Sequence, residues 1–126
     1  MVYDNDSDDF LSQVYHSLRA QRRRYVIKLV AECDDDLSVR ILAKEITARE
    51  QGIPSDRATG EPYRNVYNAL SQTHLSTLSD ANIIIYDSER QVVTAGSNLM
   101  IALLLSNLNE TALQTLQSEE HASTDW

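Results

Sequence analysis

Four of the chain's five glycines and prolines fall within one stretch, QGIPSDRATGEP, at positions 51–62. Glycine and proline are the strongest local breakers of helix and strand, so this stretch is the clearest loop in the chain. What lies on either side can form long elements with few interruptions. With 126 residues and 42% hydrophobic content, the chain suits one compact domain with an appended helix, and is too short for two ordinary domains.

Three helices are expected before the loop. Ser7, followed by Asp8 and Asp9, places a hydroxyl cap and two carboxylates at the positive end of a helix dipole. Phe10, Leu11, Val14, Tyr15 and Leu18 then recur at helical spacing as one apolar stripe. A second helix spans about 20–33, with Tyr25, Val26, Leu29 and Val30 inward and Arg22, Arg23 and Arg24 at its start; the pattern leaves open whether it continues the first or is kinked from it. Three aspartates at 34–36 end it as a solvated turn. Ser38 can cap a third helix, running to about Glu50, whose buried side is Val39, Leu42, Ala43 and Ile46.

A fourth helix is expected from Glu61 or Pro62 to about Leu75. Two β-branched runs, 83–86 and 91–95, flank the four polar residues 87–90, which predicts a hairpin. From 97 to about 117 the chain reads helical again, with Leu99, Met100, Ala102, Leu103, Leu104, Leu105 and Leu108 apolar almost all round and Asn109 as a candidate break. Residues 118–126 form an acidic tail. The most apolar run, LMIALLL at 99–105, is far short of the roughly 20 residues that span a bilayer. No basic region followed by an apolar stretch opens the chain, so no signal peptide is expected. The single cysteine, Cys33, has no disulfide or CxxC partner, which fits a reduced, cytoplasmic setting.

Helix, helix, turn, helix and two-stranded hairpin, in this order, is the layout of a winged helix-turn-helix. Its segments are RRRYVIKLV, LSVRILAKEI, the loop, and YRNVYNALSQTHLSTLSDANIIIYD. Together they resemble the small winged-helix domains of haloarchaeal transcriptional regulators. The resemblance covers residues 10 to 95 and leaves the C-terminal helix outside. In that family the pattern Y-x-x-L-x-Q-x-H-L-x-x-L-x-x-A, here Tyr67 to Ala81, marks the helix before the wing. Nine arginines to two lysines, many aspartates and a pI near 4.7 also resemble the composition of proteins from salt-loving archaea.

On a helical wheel Pro62, Tyr63, Val66, Tyr67, Ala69, Leu70 and Thr73 share one arc of the fourth helix, and Arg64, Asn65, Asn68, Ser71 and Gln72 share the opposite one. Arginine can fork onto guanine O6 and N7, and Asn or Gln onto adenine N6 and N7, so this arc can read base edges in a major groove. Polar residues opposite a core are also what any surface helix presents; the surrounding layout is what favours DNA. The net charge of −8 argues against a uniformly basic surface, but residues 19–74 carry ten cations against eight acids. Candidate phosphate contacts are therefore Arg22, Arg23, Arg24, Arg40, Lys44 and Arg90, each also open to pairing with a nearby acid. Asp87 and Glu89 flank Arg90 and would be repelled by a minor groove. In concentrated salt, counterion release contributes less to affinity, so an amide-rich face could suffice.

His16, His74 and His121 lie on separate elements without ligand spacing, and neither a phosphate loop nor a Ser-His-Asp spacing is present, so no metal, cofactor or enzyme activity is expected. Leu99, Ile101, Leu103, Leu104, Leu105 and Leu108 offer more apolar surface than one side of a small domain can cover, which favours a helix paired across a two-fold axis. The alternative is that this helix folds back beside the first. The expected molecule is mainly α with a small β-hairpin: a winged helix-turn-helix domain at 1–96, a dimerisation helix at 97–117 and a tail at 118–126. Its expected function is that of a homodimeric, sequence-specific regulator of duplex DNA, with no membrane partner. A protein-interaction adaptor on the same frame, facing another regulatory protein, is the alternative.

Overall fold

The computed structural model describes residues 2–124, with the backbone path alone given for 2–8, 113 and 117–124. Helix α1 (Val2–Ser17) begins upstream of Ser7, so that residue lies within the helix and does not cap it. Helix α2 (Gln21–Glu32) is a separate element, and the break between the two has a cause in the sequence. Arg23 donates to the carbonyls of His16 and Ser17, and Arg24 to those of Leu18 and Arg19. His16 and Ser17 lie in the last turn of α1 and Leu18 and Arg19 just past it, where carbonyls run short of intrahelical donors and cationic donors suit the negative end of the dipole.

After the three aspartates, Leu37–Ser38 forms a short strand, β1, which the sequence reading did not separate from the helix that follows. Helix α3 (Val39–Gln51) is capped as expected: the Ser38 hydroxyl accepts from the Ile41 amide at 3.1 Å. It stops at Gly52, whose φ of 66° is open to glycine at little cost. The loop contains one 3₁₀ turn, Ser55–Arg57, before helix α4 (Gly60–Ala69).

Helix α4 does not end at Leu75. It widens into a π-helical turn, Leu70–His74, and continues as α5 (Leu75–Asp80). Val66, Leu70, Leu75 and Leu78 are all fully buried, at spacings of four, five and three. Continuous α geometry would carry Leu75 about 140° round from Leu70, off the core. A turn closed by a bond from the Leu75 amide to the Leu70 carbonyl absorbs the extra residue and brings Leu75 back over the core. Thr73, placed on the inward arc by the wheel, is exposed as a result, while His74 is half-buried.

The hairpin pairs β2 (Ile84–Asp87) with β3 (Val92–Ala95), one residue displaced from the sequence expectation. With β1 added, the antiparallel sheet has the order β1-β3-β2, with Leu37 opposite Val93 and Tyr86 also opposite Val93. Gly96 follows β3 where the backbone closes on Asn82; a Cβ there would lie 2.4 Å from the Asn82 carbonyl oxygen.

The last helix, α6 (Leu99–Thr124), passes through Asn109 without a break and extends beyond 117. The acidic tail expected at 118–126 is helical backbone as far as Thr124; residues 125 and 126, and the side chains from 117 onward, lie outside the described residues. Helix α6 packs chiefly on α2, and Lys28 bonds Glu110 at 2.8 Å. One core joins Val14, Ile27, Leu42, Val66, Leu75 and Ala102, one from each of the six α-helices, with Leu70 of the π-helical turn and Ile84 and Val93 of the hairpin. The molecule is a mainly α winged helix-turn-helix in which α3 and α4 form the packed helix pair and β2–β3 the wing. Among the described residues, no helix is long and apolar enough to cross a membrane.

Candidate functional site

Helix α4 and the π-helical turn after it pack on α3, with Val66 and Leu70 buried. On its opposite side Arg64, Asn65, Asn68 and Gln72 are exposed. None of these four side chains forms a hydrogen bond among the described residues, so all four keep free donors or acceptors. Ser71, expected beside them, is half-buried. Its hydroxyl and that of Tyr67 both meet the side-chain oxygen of Gln91, at 3.3 and 3.0 Å.

Gln91 ties the helix to the wing. Its side-chain nitrogen donates to the Tyr86 hydroxyl at 2.9 Å and to the Ser88 carbonyl at 2.7 Å, and its own carbonyl accepts from the Val39 amide at 3.0 Å. It does so with a φ of 54°, in the left-handed region that non-glycine residues seldom occupy. Asp87 serves the same turn: its carboxylate accepts from the amides of Glu89 and Arg90, both at 3.1 Å. The acid that would repel a phosphate therefore also builds the wing tip, leaving Arg90 exposed beside it.

The six candidate phosphate contacts separate into two groups. Arg40 is exposed and Lys44 half-buried on α3, and Arg90 stands at the wing tip; none of the three has an ion-pair partner among the described residues. Arg22, Arg23 and Arg24 are committed to the protein. Arg22 forks onto Glu50 at 2.7 and 3.0 Å, and that hydrogen bond raises its pKa. Arg23 is 6% exposed, and burial lowers its pKa, with Arg24 adding repulsion. Only Arg23 is buried; Arg22 and Arg24 stay partly exposed, Arg22 paired with an acid and Arg24 bonded to the carbonyls that follow α1.

His74, turned inward by the π-helical turn, faces Arg23, with Nδ1 and the guanidinium 3.2 Å apart. An arginine can only donate, so Nδ1 is the acceptor and the ring proton sits on Nε2. Burial holds the imidazole below its usual range, Arg23 and Arg22 add to this, and Glu50 opposes them.

The leucines assigned to a dimer interface also divide. Leu99 is buried in its own domain, and Leu103 and Leu105 are partly packed on the same core. Ile101, Leu104 and Leu108 are exposed, the last two at 60% and 58%. Among the described residues, no group of His, Cys, Asp or Glu is placed to hold a metal ion.

The chain matches the family model described as Domain of unknown function (DUF7344) over residues 15–94. The chain belongs to the DUF7344 family. The DUF7344 region runs from the last turn of α1 to β3, so it contains the α3–α4 pair, the π-helical turn and the wing, and leaves α6 outside. Comparisons with curated proteins and with solved structures return no match.

Proposed function

We propose that this chain is a sequence-specific, duplex-DNA-binding transcriptional regulator that acts as a homodimer, of the kind its resemblance to haloarchaeal winged-helix regulators implies. The observation that carries this reading is the outward side of α4, where an arginine and three amides stand exposed with no internal partner. A surface with many directional donors and acceptors and little charge suits base edges better than phosphates. Arg40, Lys44 and Arg90, on either side of that helix in the chain, supply the phosphate contacts. Ser71 is left out of the base-reading set, because Gln91 already occupies its hydroxyl.

The dimer rests on a different feature. Leu99, Ala102 and Ser106 bury one side of α6, while Ile101, Leu104 and Leu108 line the opposite side and face solvent. A helix apolar on two opposite sides, only one of them covered by its own domain, is suited to a second copy of itself. The exposed stripe and the acids of the wing also favour a second reading, a protein-interaction adaptor on the same frame.

Selection of duplexes from a randomised pool in high KCl, with the wild type and with R64A/N68A, tests the proposal. A regulator enriches a defined site, and the double variant loses that preference while keeping its fold. Enrichment of no site by the wild type overturns the reading in favour of the adaptor.

A further inference from the structure

On α4, Tyr63, Arg64, Tyr67 and Asn68 enclose a surface slot of about 200 Å³. Both tyrosines were assigned to the inward arc by the sequence pattern, yet both are half-buried and show part of their rings at the edge of the outward side. Their ring centroids lie 6.1 Å apart at a 46° tilt. Tyr67 is held there: its hydroxyl is bound to Gln91, which is fixed in turn to the wing through Tyr86 and Ser88. With that hydroxyl engaged, Tyr67 offers the slot ring carbons rather than a free polar group. The slot is smaller than the roughly 300–1,000 Å³ of ordinary small-molecule sites, and it opens between two side chains suited to purine edges.

We propose that this slot receives the 5-methyl group of a thymine in the major groove. The inference rests on the DNA-binding reading above and names part of its specificity. Thymine is the base that presents an apolar group in that groove, and it does so beside the acceptor and donor edges that Arg64 and Asn68 can fork onto. Arg64 and Asn68 are one turn apart, about 6 Å along the helix. That matches roughly two base-pair steps of about 3.4 Å each, so the thymine lies within about two base pairs of the purines they contact.

The test uses the full chain and the duplex that it enriches from a randomised pool. Each thymine of that duplex is replaced in turn by uracil, which differs only in lacking the methyl group. At one position, removal of a buried methyl should weaken binding about fourfold, and the other positions should change little. Y63A, with its helix content checked by circular dichroism, should bind the thymine and uracil duplexes within a factor of two of each other. An enriched duplex whose thymines all tolerate uracil overturns the slot and leaves the DNA-binding reading standing. A uracil penalty that persists at full size in Y63A places the methyl elsewhere and also overturns it. Failure to enrich any duplex removes the DNA-binding reading, and the slot with it. The uracil series acts on the DNA alone, so the absence of any penalty overturns the slot whether or not Y63A folds; if Y63A does not fold, Y63L takes its place, and a penalty of unchanged size in Y63L overturns the slot.

Discussion

Arg23 holds its charge among carbonyl oxygens rather than in water. Because it bonds the C-terminal end of α1 and orients His74, R23A should leave the Ser17 carbonyl unpaired, the His16 carbonyl keeping the Arg19 amide, and lower stability by about 2 kcal/mol, measured by urea denaturation. Its neighbour titrates. With the His74 pKa depressed in the folded chain, the unfolded chain binds more protons once pH falls below about 6.5, the ordinary histidine value. The contribution of His74 is therefore fully present above that pH and is lost as pH falls through the folded value. Denaturation midpoints at pH 7.5 and 5.5 should differ in the wild type and differ less in H74Q, which keeps an acceptor but does not titrate. Gly96 is constrained by space. G96A should cost about 1–3 kcal/mol by the same measurement, because the intruding methyl meets backbone that a side-chain rotation cannot clear.

At the scale of elements, the π-helical turn corrects a phase. Deleting exposed Thr73 would return Leu70 and Leu75 to a four-residue spacing, so thermal unfolding should show a smaller loss than L75A, for which about 2–5 kcal/mol is expected. The same turn shows where the sequence was legible. Helices α2 and α3, the hairpin and the outward position of Arg64, Asn65, Asn68 and Gln72 followed from spacing, because each depends on the local period of one element. The interval of five between Leu70 and Leu75 was also visible, but a regular wheel drawn over 61–74 stopped one residue short of it. Strand β1 is two residues long and exists through its partner β3, so no local period reports it. Arg23 meets partners 6 to 51 positions away, and Gln91 meets Ser71 and Tyr67 from 20 and 24 positions away, which helical spacing does not encode.

At the scale of the whole molecule, charge that is internally committed does not act on a ligand. If three cations per protomer meet phosphates, a dimer's log affinity should fall against log KCl with a slope of about −5. Participation by Arg22, Arg23 and Arg24 would make it about twice as steep, which a titration across KCl concentrations distinguishes. L104D and L108D, each placing a carboxylate on the uncovered side of α6, should convert a dimer to a monomer in sedimentation equilibrium while the domain stays folded. The bond from the Val39 amide to the Gln91 carbonyl has a mechanical consequence. A load on the wing tip reaches Gln91, the residue just before β3, and passes from its carbonyl to the first residue of α3 and from its side chain to Tyr67 of α4. The hairpin thus behaves as a strut braced at two points, and deuterium uptake at Val39 should slow when a ligand grips Arg90, the chain neighbour of Gln91.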